Sequence, residues 1–268
     1  MIQAAVDESR RSGTSLLEVR DLCVDYVTDK GAVRAVDRVS LSVAPGEFLG
    51  IVGESGCGKS TLLYAIARLL GPPAEIASGS IRFRGDDMVT MGEEELRHIR
   101  WQSYSVVMQS AMNALNPVMT IGSQLGDAIR AHQRLSRRAV RARSEEVMRL
   151  VGIDPVHLKS FPHQLSGGMR QRSMIAMALV FTPELVIMDE PTSALDVVAQ
   201  RSLMLQIKEL QRKIGFAAIF VTHDAREAML VATRIGLLRE GRLEALERPA
   251  EFMNAPGEEA QAFRACLG

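Results

Sequence analysis

The sequence predicts an α/β fold with three parts: a core built on a mostly parallel sheet, an N-terminal antiparallel β subdomain and an inserted α-helical subdomain. Three observations predict it. The apolar run at residues 48–52 leads into Gly53-Glu54-Ser55-Gly56-Cys57-Gly58-Lys59-Ser60-Thr61 and then into a helical pattern over residues 61–70. Two further apolar runs end abruptly in polar groups, Leu185-Val186-Ile187-Met188 in Asp189-Glu190 and residues 216–221 in Thr222-His223-Asp224. Strands buried on both faces read as continuous apolar runs of this kind. Between them, residues 120–159 turn polar with helical spacing.

Taken in order, residues 1–14 are polar and read as a frayed end. They lack the apolar stretch of a signal peptide. Leu17, Val19, Leu22, Val24 and Tyr26 roughly alternate, so residues 16–27 read as a strand, with further strands at 33–36 and 39–43. Tyr26 is open to two readings, a half-buried strand aromatic or a platform for an adenine ring. Pro45-Gly46-Glu47 is a turn feeding the strand at 48–52.

The segment Gly53 to Thr61 fits G-x-x-x-x-G-K-[ST], and a strand before it with a helix after it is the confirming context. Its glycines allow the backbone to wrap phosphate oxygens without a colliding Cβ. Successive N–H groups then face an anion at the positive end of a helix. Lys59 is expected on the β- and γ-phosphates and the Ser60 hydroxyl on Mg²⁺. Cys57 lies in the loop beside Lys59, surroundings that lower a thiol pKa. An alkylatable thiol protected by bound ATP and a tolerated small residue are both consistent with that position.

Gly71-Pro72-Pro73 stops the loop helix. A short strand at 80–84, a charged helix at 93–100 and a strand at 104–108 ending at Gln109 follow. The helical insertion spans about residues 110–180, with Ile121, Leu125, Ile129, Val147, Leu150 and Val151 as its apolar stripe. Arg134, Arg137, Arg138, Arg141 and Arg143 form a basic cluster, read as a solvated helix face rather than a lipid-binding surface because Glu145 and Glu146 follow at once. Leu165-Ser166-Gly167-Gly168-Met169 opens the next helix, over 170–180, either as a plain cap at Ser166 or as a second anion-binding N-terminus.

Asp189 and Glu190 end a run too apolar for the surface, so they mark the edge of a buried sheet. Ligands of open α/β sheets bind at such strand ends. There Asp189 can hold Mg²⁺ and Glu190 can activate a water. Pro191-Thr192-Ser193-Ala194-Leu195-Asp196 turns into a helix at 197–213. His223, at the end of the next buried strand, is placed to contact a γ-phosphate. A helix at 226–232, a strand at 235–238 and a polar helical tail complete the reading.

Bulk composition narrows the function. The 268 residues carry 47% apolar and 24% charged residues, with 32 basic and 32 acidic side chains. That balance argues against a dedicated nucleic-acid binder. Cys23, Cys57 and Cys266 show no metal-ligand spacing and fit a reducing compartment. No run approaches the length of a membrane span.

The order and spacing of the phosphate loop, Gln109, Leu165-Ser166-Gly167-Gly168, Asp189-Glu190, Ser193-Ala194-Leu195-Asp196 and His223 resemble an ATP-binding-cassette ATPase, from about Leu16 onward. The resemblance implies one cassette domain over 15–268 with a P-loop NTPase core. It implies ATP and Mg²⁺ as ligands, with ATP contacts from Tyr26, residues Gly53, Glu54, Ser55, Gly56, Cys57, Gly58, Lys59, Ser60 and Thr61, and Gln109. Tyr26 would stack the adenine, and Ser60, Gln109 and Asp189 would surround the metal. Glu190 would be the base, His223 would hold the γ-phosphate, and Lys59 completes the catalytic set. Leu165, Ser166, Gly167, Gly168 and Met169 would act across a head-to-tail dimer, beside the D-loop Ser193, Ala194, Leu195 and Asp196.

Asn113-Ala114-Leu115-Asn116-Pro117 and Phe161-Pro162-His163-Gln164 before the signature resemble the dipeptide, oligopeptide and nickel importer ATPases. Arg226-Glu227-Ala228-Met229 and the tail from Pro249 are closer to glycine betaine importers, which leaves quaternary-amine or sugar uptake as the alternative cargo. The implied partners are two transmembrane permease subunits, a second ABC ATPase (identical or related) and an extracytoplasmic substrate-binding protein, without nucleic acid. The implied location is peripheral, on the cytoplasmic face of the inner membrane. A soluble cassette ATPase acting on nucleic acid or ribosomes would show tandem cassettes, long coiled-coil insertions or zinc motifs. A GTPase would show Asn-Lys-x-Asp. Neither set occurs here.

Overall fold

A computed structural model describes residues 15–109, 115–193, 195–254 and 261. The readings placed on residues 1–14, Asn113, Ala114, Ala194, Cys266 and most of the tail after residue 254 lie outside the described residues. The chain divides into two compact units, Met1–Arg97 with Ala217–Gly268, and His98–Phe216.

The first unit contains an antiparallel sheet in the order β2-β1-β4-β5. It is built from β1 (Leu17–Thr28), β2 (Gly31–Val43), β4 (Ala74–Phe83) and the two-residue β5 (Asp86–Asp87). The two strands expected at 33–36 and 39–43 are one strand. The polar Asp37-Arg38 pair that interrupts the apolar pattern is a bulge, with Arg38 at φ 50° and its N–H on Cys23 Sγ at 3.3 Å. β4 is twice the expected length because it pairs with β1 from Tyr26↔Ala74 to Leu17↔Phe83. The inward side chains Leu17, Val19, Leu22, Val24, Val39, Leu41 and Ile81 are buried.

The same unit holds β3 (Phe48–Val52), parallel to both β8 (Ala217–Thr222) and β9 (Arg234–Arg239). Every residue of β3 and β8 is buried, as the unbroken apolar runs require. Phe48 and Phe220 meet edge to face at 5.4 Å between ring centres. A strand that periodicity did not reveal, β10 (Arg242–Glu247), turns back antiparallel on β9. The connecting Glu240 and Gly241 both have positive φ, 46° and 78°, as a type I′ hairpin demands. Helix α1 (Lys59–Ile66) packs on this unit's strands. It ends four residues earlier than expected. Arg68 adopts φ 53°, and Leu69 N–H reaches back to the Tyr64 carbonyl at 2.8 Å, a left-handed helix termination. The apolar Leu69 and Leu70 had extended the helical pattern past this stop.

The second unit contains the parallel pair β6 (Tyr104–Val107) and β7 (Leu185–Asp189). Its helices α3 (Ile121–His132), α4 (Arg137–Leu150), α5 (Gly167–Ala178) and α6 (Val197–Ile214) supply the rest. Ile121, Leu125, Ile129, Val147 and Val151 of the predicted stripe are buried, whereas Leu150 is only half-buried. Ser136 caps α4 and Thr120 caps α3 through their side chains. Gly122 is required by packing, since a Cβ there would lie 2.8 Å from the Leu158 carbonyl oxygen. The basic cluster is not uniformly solvated. Arg143 reaches from α4 to the end of α5, donating to the Val180 carbonyl at 2.7 Å and the Leu179 carbonyl at 3.4 Å. The remaining elements are α2 (Glu93–Ile99), α7 (Ala225–Val231), α8 (Pro249–Asn254) and two short 3-10 helices, Pro155–Lys159 and Pro162–Gln164.

Candidate nucleotide site

The phosphate loop is built in the first unit. β3 delivers the chain to Gly53, and α1 begins at Lys59. Gly56 and Gly58 have φ 80° and 104°, in the region that favours glycine. Gly53 and Gly58 are also fixed by close approach. A Cβ would stand 2.2 Å from the Leu238 carbonyl oxygen at Gly53 and 2.4 Å from that of Ala35 at Gly58. The Lys59 ammonium, buried at 5% exposure, donates to the Gly53 and Glu54 carbonyls at 2.8 and 2.6 Å. It therefore sits inside the loop rather than in solvent. Tyr26 is half-buried, and its hydroxyl is 3.1 Å from Thr61 Oγ1. The ring thus stands beside the first turn of α1.

Cys57 corrects an expectation. Its Sγ is 3.9 Å from Lys59 Nζ, yet its thiol is pushed up, not down. Burial raises it, and the charge and hydrogen bonds of Lys59 do not offset that cost.

His223 is exposed at the end of β8. The loop that carries it is anchored by residues the sequence reading missed. Thr222 Oγ1 donates to Glu227 Oε2 at 2.7 Å, and Asp224 N–H donates back to Thr222 Oγ1 at 3.0 Å. Asp224 caps α7 by accepting from Arg226 N–H at 2.9 Å. Burial pushes the Asp224 carboxyl up, but the hydrogen bonds and charge of Arg226 outweigh it and hold the group below its ordinary value.

The strand-end acids, Asp189 and Glu190, are built in the second unit. Asp189 is fully buried at the end of β7. Glu190 follows at φ 43°, a left-handed conformation that is uncommon for a non-glycine residue and is concentrated at functional sites. Gln109, just past β6, donates its amide to Glu190 Oε2 at 2.5 Å. Two residues 81 positions apart are thereby joined. Below Glu190, the Pro191 carbonyl accepts a short hydrogen bond from Gln171 Nε2, a buried side chain on α5. Ser193 donates from both its backbone N–H and its hydroxyl to the Glu190 carbonyl, at 3.3 and 3.2 Å. Gln171 was not singled out from sequence, since a polar residue in a helix reads as surface.

Ser166 caps α5, accepting from Met169 N–H at 3.2 Å, while Leu165 is buried beneath it. An added Cβ at Gly168 meets nothing within 4 Å, so packing within this chain does not demand that glycine. Asp196 caps α6 through Ala199 N–H at 2.9 Å.

Residues 36–193 match the ABC transporter family. The chain is 43% identical over 231 residues to the dipeptide transport ATP-binding protein DppD of Bacillus subtilis. The aligned region covers 85% of this chain and 69% of that protein. The chain belongs to the ABC transporter family. This cassette is also 41% identical over 233 residues to the oligopeptide transport ATP-binding protein OppD of the same organism, covering 86% of this chain and 65% of that one. It thus spans about two thirds of the length of these relatives. Among solved structures, the dimeric ABC transporter cassette MJ0796 superposes with a TM-score of 0.77 at 28% identity, covering 87% of this chain and 98% of that chain. MJ0796 has also been solved in a post-hydrolysis state bound to ADP and Pi, with the same TM-score and coverage. The α/β fold read from the sequence is the fold of the cassette.

Ser60, in the first unit, and Gln109 and Asp189, in the second, each carry a hard oxygen, the donor type that magnesium takes. Among the described residues no group of three or more His, Cys, Asp or Glu forms a metal cage. Magnesium is typically held by one or two carboxylates plus substrate phosphates.

Proposed function

We propose that this cassette is the ATP-hydrolysing subunit of a membrane importer for dipeptides or oligopeptides. The observation that carries the cargo is its 43% identity to the dipeptide transport protein DppD. No helix among the described residues is long and apolar enough to cross a membrane, so coupling to transport requires membrane-spanning partners. We assign it two permease subunits, a second cassette (identical or related) and a substrate-binding protein outside the membrane. Its place is peripheral, at the cytoplasmic face. The chain from residue 15 onward serves as a single cassette.

Residues 53–61 wrap the triphosphate with backbone N–H groups. Lys59 neutralises the β- and γ-phosphate oxygens. Tyr26 takes the adenine. Glu190 accepts a proton from the attacking water, and Gln109 orients its carboxylate, a role supported by the hydrogen bond between them. His223 donates to the γ-phosphate. Ser60, Gln109 and Asp189 are assigned to magnesium, which supplies charge neutralisation on the phosphate oxygens. In the dimer, Ser166 and Gly168 present the N-terminus of α5 to the nucleotide of the facing cassette. Ser193, Ala194, Leu195 and Asp196 are assigned to the D-loop. ATP held by two cassettes cross-links them, and hydrolysis removes the shared phosphate.

The test is to purify this chain from gently solubilised native membranes and identify its companions by mass spectrometry. Two multi-spanning proteins together with a peptide-binding protein support the reading. Companions limited to soluble proteins remove the transport assignment, and a binding protein selective for another solute replaces the cargo.

A further inference from the structure

The phosphate loop is gripped from behind by a turn to which no role has yet been assigned. An anion-binding loop needs its N–H groups to converge. In a planar trans peptide the carbonyl opposes the N–H, so each inward N–H leaves an outward carbonyl that needs a partner. The Cys57 carbonyl has one. It accepts from Gly241 N–H, in the β9–β10 turn, at 2.9 Å. The Gly241 carbonyl in turn accepts from Asp37 N–H, on β2, at 2.8 Å. One residue of the hairpin, Gly241, therefore bridges the loop and the antiparallel sheet.

The packing around this bridge leaves no slack. A Cβ on Gly241 would stand 2.6 Å from the Ala35 carbonyl oxygen, the same atom that closes on Gly58. The turn is also fastened by charge. Arg242 meets Asp37 Oδ2 through Nε at 2.8 Å and through its terminal nitrogen at 2.7 Å. Arg34 and Arg38 stand 3.6 and 3.4 Å from the other oxygen of the same carboxylate. The hydrogen bond from Arg242, followed by its charge, holds the Asp37 carboxyl below its ordinary value against the cost of desolvation.

We propose that the Glu240–Gly241 turn, fastened to β2 by the Asp37–Arg242 pair, is a positioning device that keeps the Cys57–Gly58 peptide turned with its N–H toward bound phosphate. Gly241 and Arg242 are then positioning residues for nucleotide affinity, 184 and 185 positions beyond the residue whose carbonyl they orient. The inference rests on the ATP-binding reading.

The experiment is calorimetric titration of the full chain with Mg-ATP, beside thermal melts without nucleotide. Arg242→Met removes the fastening, and Gly241→Ala strains the turn. Arg239→Met is the control, because Arg239 pairs with Glu244 at 3.9 Å on the same hairpin without belonging to the bridge. Loss of one partly exposed ion pair that transmits to the site predicts a Kd for ATP raised about three- to tenfold in Arg242→Met. Arg242→Lys should recover most of that loss. Arg239→Met should bind like wild type, with the two Met variants melting at similar temperatures. Unchanged ATP affinity in both Arg242→Met and Gly241→Ala, or an equal loss in Arg239→Met, overturns the positioning role. Failure of the wild-type chain to bind ATP overturns the ATP-binding reading instead.

Discussion

At the scale of single residues, Gly168 separates what a residue does for its own fold from what it does for a partner. It lies in the first turn of α5, and an added Cβ meets nothing within 4 Å. Gly168→Ala should therefore leave the melting temperature unchanged or slightly higher, since alanine is the better helix former by up to about 1 kcal/mol. If Gly168 faces the partner cassette's nucleotide as proposed, ATP hydrolysis by the assembled transporter should fall, because the methyl group would intrude there. A melt and a phosphate-release assay on the same preparation check both halves. Asp224 gives a pH-dependent prediction. A carboxyl whose folded pKa is depressed contributes stability above its unfolded pKa and loses it as pH falls through the folded value. Asp224→Asn keeps the cap on α7 and removes the charge. At pH 7 it should cost at most about 1 kcal/mol, the scale of a solvent-screened pair. In urea unfolding the gap from wild type should narrow as pH drops below about 4. The residues of the phosphate loop were legible in the sequence because their chemistry is local, a glycine spacing followed by a lysine. Thr222, Glu227 and Gln171 were not, because each is defined by a hydrogen bond that only the folded chain supplies.

At the scale of elements, the continuous apolar runs located β3, β7 and β8 correctly, because a strand buried on both faces has no polar alternation to confuse it. The misses have physical causes. Asp37-Arg38 looked like a break between strands and is a bulge within one. β10 escaped because its half-polar sequence, with partly exposed residues, forms a strand only through its pairing with β9. Arg143 looked like one more solvated arginine and instead satisfies carbonyls at the end of α5. A cation there meets the Val180 carbonyl, the Leu179 carbonyl that also accepts from Thr182 N–H at 2.9 Å, and the negative end of the helix dipole. Arg143→Met should lower unfolding stability by about 1–2 kcal/mol. Arg138→Met, one turn earlier on an exposed part of α4, should cost less than about 0.5 kcal/mol. Chemical unfolding of the two variants side by side checks the difference, and equal costs would return Arg143 to the solvated face.

At the scale of the whole molecule, the sequence order of loop, signature, acids and histidine specified the family before any coordinate did. It carries little about cargo, since a subunit with no membrane-crossing helix among its described residues need not touch what is carried. The peptide assignment therefore rests on likeness to DppD and OppD, whereas the chemistry rests on this chain's own groups. The hydrogen bond from Gln109 to Glu190 and the left-handed backbone at Glu190 are the observations on which the proposal of Glu190 as the base rests. The decisive measurement is ATP hydrolysis by the complex purified through a tag on this chain, wild type against Glu190→Gln. Removing a general base is worth about a hundredfold or more in rate. The account predicts steady phosphate release by the wild-type complex and its near-complete loss in Glu190→Gln, with ATP still bound. Hydrolysis by Glu190→Gln at the wild-type rate would contradict it.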